Sequence, residues 1–228
     1  MRKTFILFGV VLLSCSSAIG QTSIKEAAAL VKKGDYAVSN KDNNTALIYF
    51  AKAIELDPKN KEVYKSRAII YHKTDRYTEA IADCTKAIEL DPKTVYPYYI
   101  RGSSYVKIKK YSEGIADLTY EIERDLKHEP AYTSRGLAYF ALGKDEEALV
   151  DFTKGIELRP YEIVPRFNRG QVFYHMKKYN EALDDFSRVI ELSPKEGLAY
   201  KLRSLTYTAL KQDKAAAADM AIYKFLSK

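Results

Sequence analysis

Two residue types recur at a spacing that could do chemistry. Arg67, Arg101, Arg135, Arg169 and Arg203 stand 34 residues apart, and Asp83, Asp117, Asp151, Asp185 and Asp219 follow at the same interval. An arginine held beside a carboxylate makes a charge-assisted pair, and a carboxylate by itself can act as a general base. Five equal copies suit architecture better than a single reactive site. A structural Arg-Asp ladder is therefore expected, with two independent solvated stripes as the alternative. The other reactive side chains do not converge. His72, His128 and His175 are dispersed, and there is no Cys/His cluster, phosphate-binding glycine loop or serine elbow. The reading is a non-enzyme without metal or cofactor.

The elements that position the two charged series are set by the same interval. Pro58, Pro92, Pro160 and Pro194 fall on a 34-residue lattice whose missing node is Leu126. Ile54-Glu55, Ile88-Glu89, Ile122-Glu123, Ile156-Glu157 and Ile190-Glu191 precede the nodes. With the proline at position 32, repeats run 27–60, 61–94, 95–128, 129–162, 163–196 and 197–228, after residues 1–20 and a short segment 21–26. Position 8 is small throughout (Gly34, Ala68, Gly102, Gly136, Gly170, Ser204), as is position 20 (Ala46, Ala80, Gly114, Ala148, Ala182, Ala216). Small side chains let helix backbones approach closely. Tyrosine and phenylalanine recur at positions 4, 11 and 17, which assigns eleven of the 19 tyrosines to packing.

This pattern resembles the tetratricopeptide repeat, a helix-turn-helix unit. The resemblance implies an all-α right-handed superhelical solenoid of about six repeats, stabilised mainly between neighbours. Pro97, Pro130 and Pro165 suit the first turn of a first helix, and turns are expected near Asp75-Arg76, Gly143-Lys144 and Lys177-Lys178. Repeat one, with Lys33 and Tyr49 in place of the charged pair, reads as an N-terminal cap. Repeat three departs at Gly114, Glu121 and Leu126, which predicts either a looser joint or a Glu121 whose stem packs while its head reaches water. Repeat six, with Tyr223 at a normally small position and a polar helix from Lys214 to Lys228, reads as a C-terminal cap.

The resemblance further implies a concave groove lined by the first helices, able to hold a polypeptide. Transferred position by position, its candidates are Lys65, Ile69, Lys73, Tyr99, Ser103, Lys107, Leu137, Phe140, Phe167, Gln171 and Tyr174. Aromatics on such a face serve as binding anchors or merely fill space between adjacent first helices. Val31 and Asp35 stand where carboxylate-clamping members carry Lys and Asn, which disfavours that mode. The expected function is a protein-protein interaction scaffold or assembly factor of the bacterial envelope; an accessory subunit of an envelope enzyme complex is the alternative.

Residues 1–20 read as an export signal, because Arg2 and Lys3 precede an apolar run from Phe5 to Leu13 too short to span a bilayer. Two cleavages compete: one after Ala18-Ile19-Gly20, and a lipoprotein cleavage that would lipidate Cys15. The expected location is periplasmic or secreted, or membrane-anchored through lipid, with no span in the mature form. Without Arg2 and Lys3 the chain has 35 basic and 30 acidic side chains, a mild and dispersed excess that argues against nucleic acid. Cys84 is the second cysteine of two, so no intramolecular disulfide is expected and a buried packing role is. Self-association is left open.

Overall fold

The computed structural model describes the backbone of residues 4–227 and the side chains of residues 21–227. The signal-segment expectations at Arg2, Lys3 and the Cys15 side chain lie outside these. Among the described residues there are twelve helices and no strand: α1 Thr4–Ser39, α2 Asn43–Leu56, α3 Lys61–Lys73, α4 Tyr77–Leu90, α5 Tyr96–Lys107, α6 Tyr111–Ile122, α7 Glu129–Ala141, α8 Asp145–Leu158, α9 Ile163–His175, α10 Tyr179–Leu192, α11 Gly197–Ala209 and α12 Asp213–Leu226. The 34-residue period thus resolves into helix pairs, as the resemblance implies. Residues 21–26 continue α1 instead of forming a separate segment. No helix among the described residues is long and apolar enough to cross a membrane.

The chain forms two compact units, Met1–Ser104 and Tyr105–Lys228. Within the first, α1 packs on α2, α2 on α3 and α3 on α4. Within the second, each helix from α6 onward packs on the next, and the first helices α7, α9 and α11 also touch in succession. Each turn between paired helices uses one left-handed residue at position 15: Lys41, Asp75, Lys109, Gly143, Lys177 and Lys211, all with φ between 58° and 71°. The next amide closes a Schellman-type turn, as in Arg76 N to Tyr71 O at 2.8 Å and Lys178 N to Phe173 O at 2.8 Å.

A close approach sets the helix spacing inside the pairs of repeats one, four and five. A Cβ placed on Gly136 or Gly170 would lie 2.8 Å from the ring of Phe152 or Phe186, the fully buried residue at position 24. Gly34 is covered in the same way by Phe50. Repeat two solves the contact differently, with Ala68 facing the smaller Cys84 in a core with Ile100. Cys84 is fully buried, so the methyl on one helix and the short side chain on the other share the volume that glycine and phenylalanine fill elsewhere.

The arginine-aspartate series forms the expected ladder in repeats two, four, five and six. Arg67 Nε and Nη2 reach both oxygens of Asp83 at 2.7 and 2.8 Å. Arg135 does so with Asp151, Arg169 with Asp185, and Arg203 with Asp219, all between 2.7 and 2.9 Å. The third nitrogen reaches backward. Arg101 Nη1 donates to Thr85, Arg135 to Thr119, Arg169 to Thr153 and Arg203 to Ser187, at 3.0–3.2 Å. One planar guanidinium therefore joins its own hairpin to the second helix of the preceding repeat. The rings of Tyr64 and Tyr71 flank Arg67, as Tyr132 and Tyr139 flank Arg135, and Tyr200 and Tyr207 flank Arg203. In repeat five Arg166 replaces the first ring and stands 3.5 Å from Asp185.

The electrostatics follow from this enclosure. The hydrogen bonds they donate to Asp83 and Asp219 hold Arg67 and Arg203 above the usual guanidinium range. At Arg135 burial acts downward, and the Asp151 hydrogen bond and charge outweigh it. Burial pushes the Asp151 carboxyl up. The two short contacts between them make an ionised bidentate pair at neutral pH.

Repeat three corrects one expectation. The Glu121 carboxylate does not reach water: it is 2% exposed, and His128 Nδ1 lies 2.6 Å from its Oε1. Its Oε2 is buried with no hydrogen-bond partner. Its own helix, α6, spans 12 residues where α4, α8 and α10 span 14. His128 is thereby assigned a structural role as partner of a buried acid.

Three outcomes test these contacts. Gly170→Ala should destabilise by about 1–3 kcal/mol in chemical denaturation, because the methyl meets a ring that cannot move away. Arg135→Ala should cost about 3–5 kcal/mol by stranding Asp151, whereas Arg135→Met with Asp151→Leu should recover most of that loss. The third concerns Asp91, which accepts from Lys61, from Lys93 N at 3.0 Å and from Thr94 Oγ1 at 3.0 Å, and is held down at about 2 from the usual 3.8, chiefly by Lys61. A depressed carboxylate stabilises fully above its unfolded value and loses that contribution as pH falls from 3.8 toward 2. Melting curves of Asp91→Asn should therefore be less pH-dependent than wild type across that window.

Candidate functional site

A hollow opens against the first helices in each compact unit. In the first unit, Ile69 and Lys73 on α3 meet Asp35 and Val38 on α1 around a cavity of about 410 Å³ whose floor is Phe50. Ile69 also packs on the Ala68, Cys84 and Ile100 core, so only part of it is available. Lys65, one turn earlier, is tied to Glu62 of its own helix. His72 lies beside this row, with Nδ1 2.9 Å from Ser104 Oγ.

In the second unit, Phe140 on α7 and Gln171, Tyr174 and His175 on α9 surround a cavity of about 390 Å³, closed by Tyr179 and Leu202. Phe140 meets His175 edge-on at 5.8 Å, and Tyr174 tilts against Tyr179 at 5.7 Å. Gln171 is bonded to Asn168 at 3.3 Å. His175 is bound to Asp145, the first residue of α8, at 2.7 Å. The other oxygen of Asp145 is buried without a hydrogen-bond partner. The hollow therefore offers ring faces, one amide and an exposed imidazole: it can seat an apolar or aromatic side chain and hydrogen-bond a backbone.

The structure brings together part of the candidate set. Ile69 and Lys73 share one hollow; Phe140, Gln171 and Tyr174 share the other. Tyr99 packs on the Ala68, Cys84 and Ile100 core and stacks obliquely on Tyr96 at 5.6 Å. Leu137 packs on Phe152 and Val172, and Phe167 on Phe186 at 5.9 Å. These three serve the hairpin interior as much as the surface. Lys107 ends α5, exposed and outside both hollows. Ser103 is a correction: it is 6% exposed and lines neither hollow. His175 stands at a groove position by sequence, and only its pairing with Asp145 was not foreseen. Its signal was Asp145 at position 17, where repeats two, three and five carry tyrosine.

Repeat one differs as expected from its sequence. With Lys33 and Tyr49 in place of the charged pair, Lys33 Nζ lies 5.9 Å from the Tyr49 ring, beside a cavity of about 460 Å³ that Tyr36 also lines.

Among the described residues no group of His, Cys, Asp or Glu could hold a metal ion. Family models described as tetratricopeptide repeat match residues 27–60, 62–94, 130–162 and 166–196. A heat shock protein sti1 homolog from Schizosaccharomyces pombe is 41% identical over 59 residues, which are 26% of this chain and 10% of that protein. The chain thus spans about a tenth of the length of this curated relative. Among solved structures, pilF of Pseudomonas aeruginosa superposes with a TM-score of 0.75 at 16% identity, covering 90% of this chain and 93% of that one. A tetratricopeptide repeat protein from Parabacteroides merdae gives 0.73 at 21% identity, over 86% and 78%. YrrB, a TPR protein with an unusual peptide-binding site, gives 0.64 at 23% identity, over 78% and 91%. At these identities the structures establish the fold. With the lattice of repeats, the ladder and the matched segments in agreement, the chain belongs to the tetratricopeptide repeat family.

Proposed function

We propose that this protein is a non-catalytic scaffold or assembly factor of the bacterial envelope that holds a polypeptide partner against its first helices. The family assignment supports the protein-interaction part of this reading. The observation that carries it is the hollow where Phe140, Gln171, Tyr174 and His175 converge, since aromatic faces beside a few hydrogen-bonding groups suit an extended or helical segment with one apolar anchor. The export reading rests on Arg2, Lys3 and the apolar run to Leu13; either leader cleavage or acylation at Cys15 would deliver the chain to the envelope.

A photo-crosslinking amino acid placed at Gln171 tests the proposal in intact cells. Wild type should capture a discrete protein from the envelope fraction. Tyr174→Ala, shown by circular dichroism to keep its helix content, should reduce that capture by about tenfold or more. Equal capture by both chains would remove the hollow as the binding surface. A crosslinked partner confined to the cytoplasm would remove the envelope assignment.

A further inference from the structure

Repeat one lacks two groups that the later repeats share. Position 11 is aromatic in each of those, as Tyr71, Tyr105, Tyr139, Phe173 and Tyr207, and it is Ala37 here. Position 23 is aspartate in all five and Tyr49 here. Only the cation is kept, with Lys33 at position 7. In repeats two, four, five and six the position 7 guanidinium lies 5.6–5.8 Å from the position 11 ring. It also holds the position 23 carboxylate. The cavity of about 460 Å³ in repeat one is lined by Lys33, Ala37 and Tyr49, the same three positions, together with Lys32, Tyr36 and Asp42. It therefore opens where the later repeats keep a ring and a carboxylate of their own.

The surroundings narrow what can enter. Positions 3 and 10 are buried in every later repeat, as Val63 and Ile70 in repeat two and Ala199 and Thr206 in repeat six. In repeat one they are Ala29 and Tyr36, both exposed, Tyr36 at 71%. Lys32, Lys33 and Asn40 are exposed beside them, so this face is too polar to be buried under another hairpin. Neither lysine has an ion-pair partner among the described residues. Asp42, the one acid lining the cavity, caps α2 by accepting from Thr45 N at 3.0 Å. Two cations and two phenol rings thus face one recess with a single, already engaged, carboxylate.

We propose that this cavity is a second binding site, which takes an aromatic side chain of a partner polypeptide that also carries a carboxylate two residues from the ring in extended backbone. The ring takes the place of the position 11 tyrosine, against the methyl of Ala37 and within reach of the ammonium of Lys33. The carboxylate takes the place of the position 23 aspartate, paired with Lys33 or Lys32. Extended backbone turns residues i and i+2 to the same face, roughly 7 Å apart, so one short segment delivers both groups. A partner helix would have to lie along the exposed polar face, which offers no apolar stripe to receive it. The site shares no lining residue with either hollow of the first helices, and it does not rest on what those hollows bind.

Nuclear magnetic resonance titration of the isotope-labelled full chain tests the site with blocked pentapeptides. The probe is acetyl-Asp-Gly-Tyr-Gly-Asp-amide, compared with one peptide carrying Asn for both Asp and another carrying Ala for Tyr. The probe should shift the amide signals of Ala37 and Tyr49 with a dissociation constant of about 1 mM. The Asn peptide should bind about two- to fivefold more weakly, and the Ala peptide about tenfold or more. Ala37→Tyr installs the ring that repeats two, three, four and six carry at this position, so the fold has a precedent for it. It should keep the wild-type circular dichroism and weaken the probe by about tenfold or more. Lys32→Gln with Lys33→Gln should remove the preference for Asp over Asn. Tyr174→Ala, which alters the hollow of the second unit, should leave the titration unchanged, so failure of that hollow and failure of this site are separate results. A wild type without shifts at Ala37 up to about 10 mM probe overturns the proposal, as does an Ala37→Tyr chain that binds like wild type. Equal binding of the Asp and Asn peptides overturns the carboxylate. Shifts confined to the surroundings of Gln171 assign the peptide to the hollow and overturn the second site.

Discussion

Each helix pair must borrow half of its core from a neighbour, and the arginine at position 7 is where that dependence becomes specific. Apolar contact alone would let hairpins slide or rotate against one another, because dispersion and the hydrophobic effect have little direction. A planar guanidinium removes that freedom. Two of its nitrogens grip the aspartate 16 residues ahead, and the third reaches the hydroxyl 16 residues behind. The rings of Tyr132 and Tyr139 limit the exposure of Arg135 and keep water from competing. A lysine at this position could supply charge without fixing three directions at once. The arrangement is paired, hydrogen-bonded and almost dry, and those are the conditions under which a buried ion pair is tolerated.

The position 8 and 24 contact complements it. Glycine against phenylalanine and alanine against cysteine are two solutions of one volume constraint, and they set how close the helices of a pair come before the arginine sets their register. Repeat three relaxes the pattern, and Glu121 takes a place that alanine holds in repeats one and two. Its carboxylate is turned inward to His128, so the departure is absorbed by a local polar pair. One oxygen is left unsatisfied, at an energetic cost of the order that an unpaired buried polar group carries.

Much of this was legible in the sequence because the period multiplies each signal. One proline or one arginine says little; five at a fixed interval locate helices, turns and partners together. The Arg-Asp pairing followed from two series in step. The hydroxyl behind the last four arginines was written at the same interval in Thr85, Thr119, Thr153 and Ser187, yet threonine is common enough in helices to pass as filler. Ser103 was misplaced because a small exposed residue on a groove position looks identical, in sequence, to a small buried one. Glu121 was misread because a long acid beside a helix end ordinarily finds solvent, and only the placement of His128 removes that route. Apolar residues at the groove were the least legible: Leu137 and Phe167 face outward by position and inward by packing.

The wiring of the ladder is the same in repeats four, five and six, since each bond there is defined by an offset of 16 residues and never by an absolute place in the chain. Repeating a stretch of 34 residues within repeats four to six, begun at any point, leaves each arginine there with an aspartate ahead and a hydroxyl behind. Tandem duplication at the level of the gene can therefore lengthen such a protein without inventing a contact. Insertions of other lengths break the offset at once. Length in this architecture changes in whole quanta, and the specificity of its surfaces is free to diverge between copies while the frame that carries them is inherited intact.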